Sequence, residues 1–114
     1  MYKRQAHAAP LPRSRAELKS AVNACLKLFP KGECSNGPHG PIGEWDISRV
    51  TDMHGVFSIA RFFNGDISKW DVSSVDNMNS MFRGAESFNG DISKWDVSTV
   101  SNMKLMFDLS LIHI

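Results

Sequence analysis

Apolar and polar positions follow two different rhythms along this chain. Between residues 14 and 30, Leu18, Ala21, Val22, Cys25, Leu26 and Phe29 fall at three- and four-residue spacings, which predicts a helix with one apolar face. Ser14 stands three residues before Glu17, the spacing of a capping box, and Pro30 marks the end. From residue 45 the rhythm becomes a repeat. Trp45, Trp70 and Trp95 recur every 25 residues, each followed by Asp, Ile or Val, Ser, a variable residue and Val. Residues 45–69 match 70–94 at 14 of 25 positions without a gap, and 70–83 match 95–108 at 9 of 14.

Within one unit Ile67, Trp70 and Val72 are spaced as in the strand of a leucine-rich repeat. From Val75 the apolar positions shift to Met78, Met81, Phe82, Ala85 and Phe88, which predicts a short helix or helical turn, with the row Thr51, Asp76 and Ser101 supplying capping oxygens. Phe63-Asn64-Gly65-Asp66 and Phe88-Asn89-Gly90-Asp91 carry turn chemistry. The expected fold class is therefore α/β: a leucine-rich-repeat-like solenoid of short parallel strands and short helices behind an N-terminal capping helix. Residues 6–43 form the cap helix and its loop, and residues 44–108 form two and a half repeats. Stacking would align like residues in columns, with Trp, Val, Met, Phe and Ile filling the core. The competing use of the Trp and Met columns is a ligand-stacking surface.

The run Phe63-Asn64-Gly65-Asp66-Ile67-Ser68-Lys69-Trp70-Asp71-Val72-Ser73, continued by Val75, Met78, Met81 and Phe82, resembles the 25-residue repeat of the BspA-like leucine-rich-repeat surface proteins. That family includes mycoplasma lipoprotein-type members and many proteins of unicellular algae. The resemblance covers residues 42–108, and Glu17 to Cys34 with Gly43-Glu44-Trp45-Asp46 is similar to the leader of algal members. It implies a non-catalytic surface module for adhesion or protein binding, cell-surface or secreted, with a structural spacer as the alternative. Phe62-Phe63 in place of Ser87-Phe88, and Gly55-Val56 in place of Ser80-Met81, depart from the pattern.

Composition narrows the partners. The 114 residues carry 13 basic and 12 acidic groups. That balance supplies no concentrated basic field for nucleic acid. No apolar run reaches the roughly 20 residues of a membrane span, so no membrane insertion is expected. Leu, Ile, Val and Phe number 28, enough for a modest core. The ends stand apart. Under one choice of codons, Tyr2 to Gln5 (TAT AAG AGA CAG) and Leu109 to Ile112 (CTG TCT CTT ATA) are reverse complements, so residues 1–5 and 109–114 read as translated sequencing adapter. On that reading the chain is a fragment, and its last half-coil exposes Trp95, Val97, Val100, Met103 and Phe107.

Candidate chemistry is sparse. The four histidines, 7, 39, 54 and 113, lie at no metal-ligand spacing, so neither a metal site nor a cofactor is expected. Cys25 and Cys34 allow a disulfide between the cap helix and the loop after it, or a buried thiol at 25 with an incidental one at 34. The Asp46, Asp71 and Asp96 row invites acid–base chemistry, but equivalent sites do not separate two pKa values, and no nucleophile has a base partner. No catalytic residue is assigned. Alternation about Trp70 and Val72 predicts that Glu44, Asp46, Ser48, Lys69, Asp71, Ser73, Lys94, Asp96 and Ser98 face outward on a concave sheet, a candidate grid for a protein or cell-surface partner. The alternative is that the Asp and Ser rows satisfy one another.

Overall fold

The computed structural model describes residues 12–107; the suspected adapter segments 1–5 and 109–114 lie outside them. The predicted helix is present as α1, Arg15–Leu28, with Ser14 as N-cap accepting from the Glu17 amide, and Leu18, Val22 and Cys25 buried. Glu17 reaches back to the Arg13 amide at 2.8 Å, so the cap is closed from both sides. Cys25 on the helix is joined to Cys34 in the following loop by a disulfide. One 3-10 turn, Ile42–Glu44, leads into the repeats.

The parallel strands and short helices expected of the repeats are absent. Among the described residues α1 and that single turn are the only helices, and the repeats meet in two isolated parallel bridges, Asp52 with Asn77 and Asn77 with Asn102. No sheet forms among the described residues, so the α/β leucine-rich-repeat reading is overturned. The hydrogen bonds give the physical reason. In coil 1 (45–69) the amides of Met53, Gly55, Phe57 and Ile59 donate to Asn77, Asn79, Met81 and Arg83 in coil 2 (70–94), at 2.7–3.0 Å. The alternate amides of Val56, Ser58 and Ala60 donate within their own coil to Met53, Gly55 and Phe57. Coil 2 repeats the arrangement, with Met78, Ser80 and Phe82 donating to Asn102, Lys104 and Met106 in the described part of coil 3 (95–107). The chain is thus a ribbon of consecutive turns stitched to its neighbour by every second amide.

Backbone dihedrals close off the strand alternative. Gly55, Ser80 and Leu105 occupy one column and have φ of 65°, 59° and 58°; Ile59 and Gly84 occupy another, at 63° and 75°. A left-handed residue at each of these points breaks any extended run. The Trp-Asp-Val-Ser segment is bent as well, because the Trp70 amide turns back to Ile67 and the Val75 amide to Val72. Trp70 and Val72 are nonetheless buried with Asp71 exposed between them. Turns produce the in-and-out pattern that sequence periodicity attributes to a strand.

The core follows the columns. Phe57, Phe82 and Phe107 stack face to face at 5.6 Å intervals, and Phe63 and Phe88 stack at 5.5 Å beside them. Each Trp donates its indole N–H backwards: Trp45 to the Gly40 carbonyl, Trp70 to Ile42 and Trp95 to Ile67. The polar end of each buried ring is therefore satisfied, and the rest adds apolar area. Trp95, expected to be exposed, is 8% exposed because it packs on Phe82. Val97 and Met103 in the same coil are exposed, and Val100 and Phe107 are half-buried.

The helix closes the first coil by imitating a preceding one. Coil 2 carbonyls at Asn79 and Met81 receive amides from coil 1, and their equivalents 25 residues earlier are His54 and Val56. Arg15 Nε donates to the His54 carbonyl, and Lys19 Nζ donates to Gly55 and Val56 at 3.1 and 3.0 Å. Two cations four residues apart on α1 take the place of two amides. The helix and its disulfide thereby fix the edge of coil 1 against the cap, which is where the candidate site lies.

Candidate functional site

The nine residues predicted as a grid occur on coils of turns, not on a concave sheet. Glu44, Lys69, Lys94, Asp46, Asp71 and Asp96 are exposed, as is Ser98, while Ser48 and Ser73 are half-buried. Within each coil the Asp and Ser rows engage each other. Asp71 Oδ1 accepts from the Ser73 amide at 3.0 Å and from its hydroxyl at 2.6 Å, and Asp46 with Ser48 and Asp96 with Ser98 repeat the motif. A second row does the same, with Asp66 on Ser68 and Asp91 on the Ser93 amide. These are Asx-type turns, in which a carboxylate holds the chain bent two residues on.

The hydroxyl hydrogen bond from the serine, followed by its amide, holds the Asp46, Asp66, Asp71 and Asp96 carboxyls below the usual carboxylate range; at Asp91 the amide contributes most. All five shifts run in one direction from one cause. Within these five no pair has its pKa values driven apart, which an acid–base site requires. The predicted capping row Thr51, Asp76 and Ser101 is displaced by one position, since Asp52, Asn77 and Asn102 are the residues whose Oδ1 atoms accept the amides of His54, Asn79 and Lys104. Among the described residues no three His, Cys, Asp or Glu side chains come together as a metal site would need. Of the histidines there, His39 lies edge-on to Trp45 at 5.6 Å and His54 is exposed. Among the described residues no helix is long and apolar enough to cross a membrane.

The concave feature lies elsewhere, between the end of α1 and the edge of coil 1. An open cleft of about 960 Å³ is lined by Leu28, Phe29, Pro30, the loop residues Lys31 and Glu33, and Pro41 to Glu44. Phe62, Asn64, Gly65, Asp66 and Lys69 of coil 1 complete its lining. Two of the nine predicted residues, Glu44 and Lys69, are therefore brought together here. The sequence assigns none of the main apolar contributors to a site, and Phe62 stands there only as a departure from the repeat. Leu28 is 61% exposed and Phe62 is 64% exposed, and Ile59, beyond Phe62, is 73% exposed. The signal was available in the repeat itself. Phe62 and Ile59 stand where coil 2 has Ser87 and Gly84, so each is an apolar residue that the repeat does not need for its core.

The model of the family described as Mycoplasma protein of unknown function, DUF285, matches residues 24–111. The chain belongs to that family. No curated protein and no solved structure matches it.

Proposed function

We propose that this chain is a non-catalytic binding module, displayed outside the cytoplasm, that takes a protein partner in the cleft between its cap and first repeat. The observation that carries this reading is that the exposed Leu28 and Phe62 both line a large cleft. Apolar side chains facing water across a concavity, rimmed by charge, have the anatomy of a protein-binding site. The resemblance to BspA-like surface proteins supports adhesion or protein binding, and the Cys25–Cys34 disulfide supports an oxidising compartment. The uniform environments of the aspartates support a role without catalysis.

Selection of random peptides displayed on phage, with the protein as bait and the Phe62→Ser variant as counter-bait, tests the reading. Phe62→Ser installs the residue type that coil 2 carries at position 87 and leaves the buried Phe63 untouched, so folding is preserved. Peptides that bind the protein and lose most of their affinity for the variant are expected. Failure to enrich any peptide, or equal binding to both baits, would overturn it and favour a spacer.

A further inference from the structure

A second groove, of about 330 Å³, adjoins the first and shares Phe62 and Pro30 with it. Its ionisable lining is Lys19, Lys27 and Arg61, and no carboxylate lines it. Comparison with the next coil makes this edge distinctive. Coil 2 carries Gly84, Glu86 and Ser87, whereas coil 1 carries Ile59, Arg61 and Phe62. Within four residues an apolar side chain replaces a glycine, a cation replaces an anion, and an aromatic ring replaces a hydroxyl. Ala60 and Phe63, which pack inward, keep the types found at Ala85 and Phe88. Over residues 59–63 the departures are confined to the outward positions.

We propose, on the reading that the cap and first repeat bind protein, that this groove receives an acidic segment of the partner, whose apolar residue seats on Phe62 and Ile59 while its carboxylates meet Lys27 and Arg61. Lys27 projects from the last turn of α1 and is exposed. Arg61 faces Glu86 at 3.8 Å with both side chains more than half exposed. An exposed pair of that kind is worth little, so an incoming carboxylate displaces it at small cost. Lys19 adds positive potential from behind, with its ammonium already held by the Gly55 and Val56 carbonyls. An apolar anchor ringed by cations selects a partner with the opposite arrangement, and charge complementarity of this kind sets specificity and encounter rate. Residues 1–11 do not offer it, because they contain Lys3 and Arg4 and no carboxylate.

The peptides enriched by the selection above are synthesised, and their affinity is measured by fluorescence anisotropy against the protein and the Lys27→Glu/Arg61→Glu variant, at low and high salt. Both substitutions fall on exposed side chains, and circular dichroism checks that the variant is folded. The proposal predicts peptides rich in Asp and Glu around one or two apolar residues. It also predicts a loss of about tenfold or more in the variant and weakening with salt. Peptides that depend on Phe62 but carry no acidic bias, and bind the variant equally well, would overturn this proposal and leave the binding-module reading standing. Phosphatidylserine vesicles bound through Phe62 and Lys27 with no peptide enriched, or a dimer by light scattering that the variant dissolves, would replace the partner by a membrane surface or a second copy and overturn it too.

Discussion

Position 59 shows what the first coil gives up at its edge. Ile59 is β-branched and sits at φ 63°, where the next coil uses Gly84. A left-handed conformation costs an ordinary L-residue roughly 1–2 kcal/mol, and glycine recovers it less its own greater freedom in the unfolded chain. Because Ile59 is mostly exposed, Ile59→Gly loses little burial. It should stabilise the protein by about 1 kcal/mol, raising the melting temperature by roughly 5 °C, while weakening the acidic peptides described above. A lower melting temperature would mean that the side chain packs more than its exposure indicates. The aspartates give a second test at this scale. Their folded pKa values lie below the ordinary one, so their stabilisation is complete above the unfolded value near 4 and is lost as pH falls through the depressed values. Melting temperature should hold from neutrality to about pH 5 and fall below pH 4. Removing the hydroxyls by Ser48→Ala, Ser73→Ala and Ser98→Ala together should flatten that fall, and an unchanged acid limb would contradict the assignment.

At the scale of elements, the cap has a definable task. A coil presents carbonyls to the coil before it, and α1 answers with Arg15 and Lys19. Arg15→Met with Lys19→Met keeps much of the apolar stems and removes the donors, leaving three carbonyls to water or to no partner. A cost of about 1–3 kcal/mol is expected. Amide hydrogen exchange should locate it, with faster exchange at Met53, Gly55 and Phe57 than at the coil 2 equivalents Met78, Ser80 and Phe82. Uniform acceleration throughout would show that the helix stabilises the whole molecule without closing an edge. The helix was legible in sequence because its apolar spacing and its Ser14–Glu17 cap depend on local geometry alone. The strands were misread for a physical reason: alternating burial about Trp70 and Val72 is a property of both an extended strand and a chain folded into turns. Serines at 48, 73 and 98 discriminate between them, since an Asp two residues before a Ser favours a bend.

For the molecule as a whole, one 25-residue register places every column, and the proposed binding edge is where the first coil leaves that register's chemistry. The columns of Phe, Trp and Met were legible because identical residues at fixed spacing must meet when coils stack in parallel. The cleft was not, because it arises from where α1 and its disulfide-linked loop come to rest against coil 1, which no periodicity specifies. Its residues could have been found as departures from the repeat, as Arg61 against Glu86 and Phe62 against Ser87 illustrate. Coils joined by alternate amides, without a sheet, define the molecule. Scalar couplings across hydrogen bonds, measured by NMR on labelled protein, read that directly. Couplings are expected from the Met53, Gly55, Phe57 and Ile59 nitrogens to the carbonyl carbons of Asn77, Asn79, Met81 and Arg83, with Val56 and Ser58 coupled instead to Met53 and Gly55. One coupling back from the Asp76 nitrogen to Thr51 is expected at the start of this segment; further reciprocal couplings from the coil 2 amides 78–83 to coil 1, the signature of a parallel sheet, would contradict it.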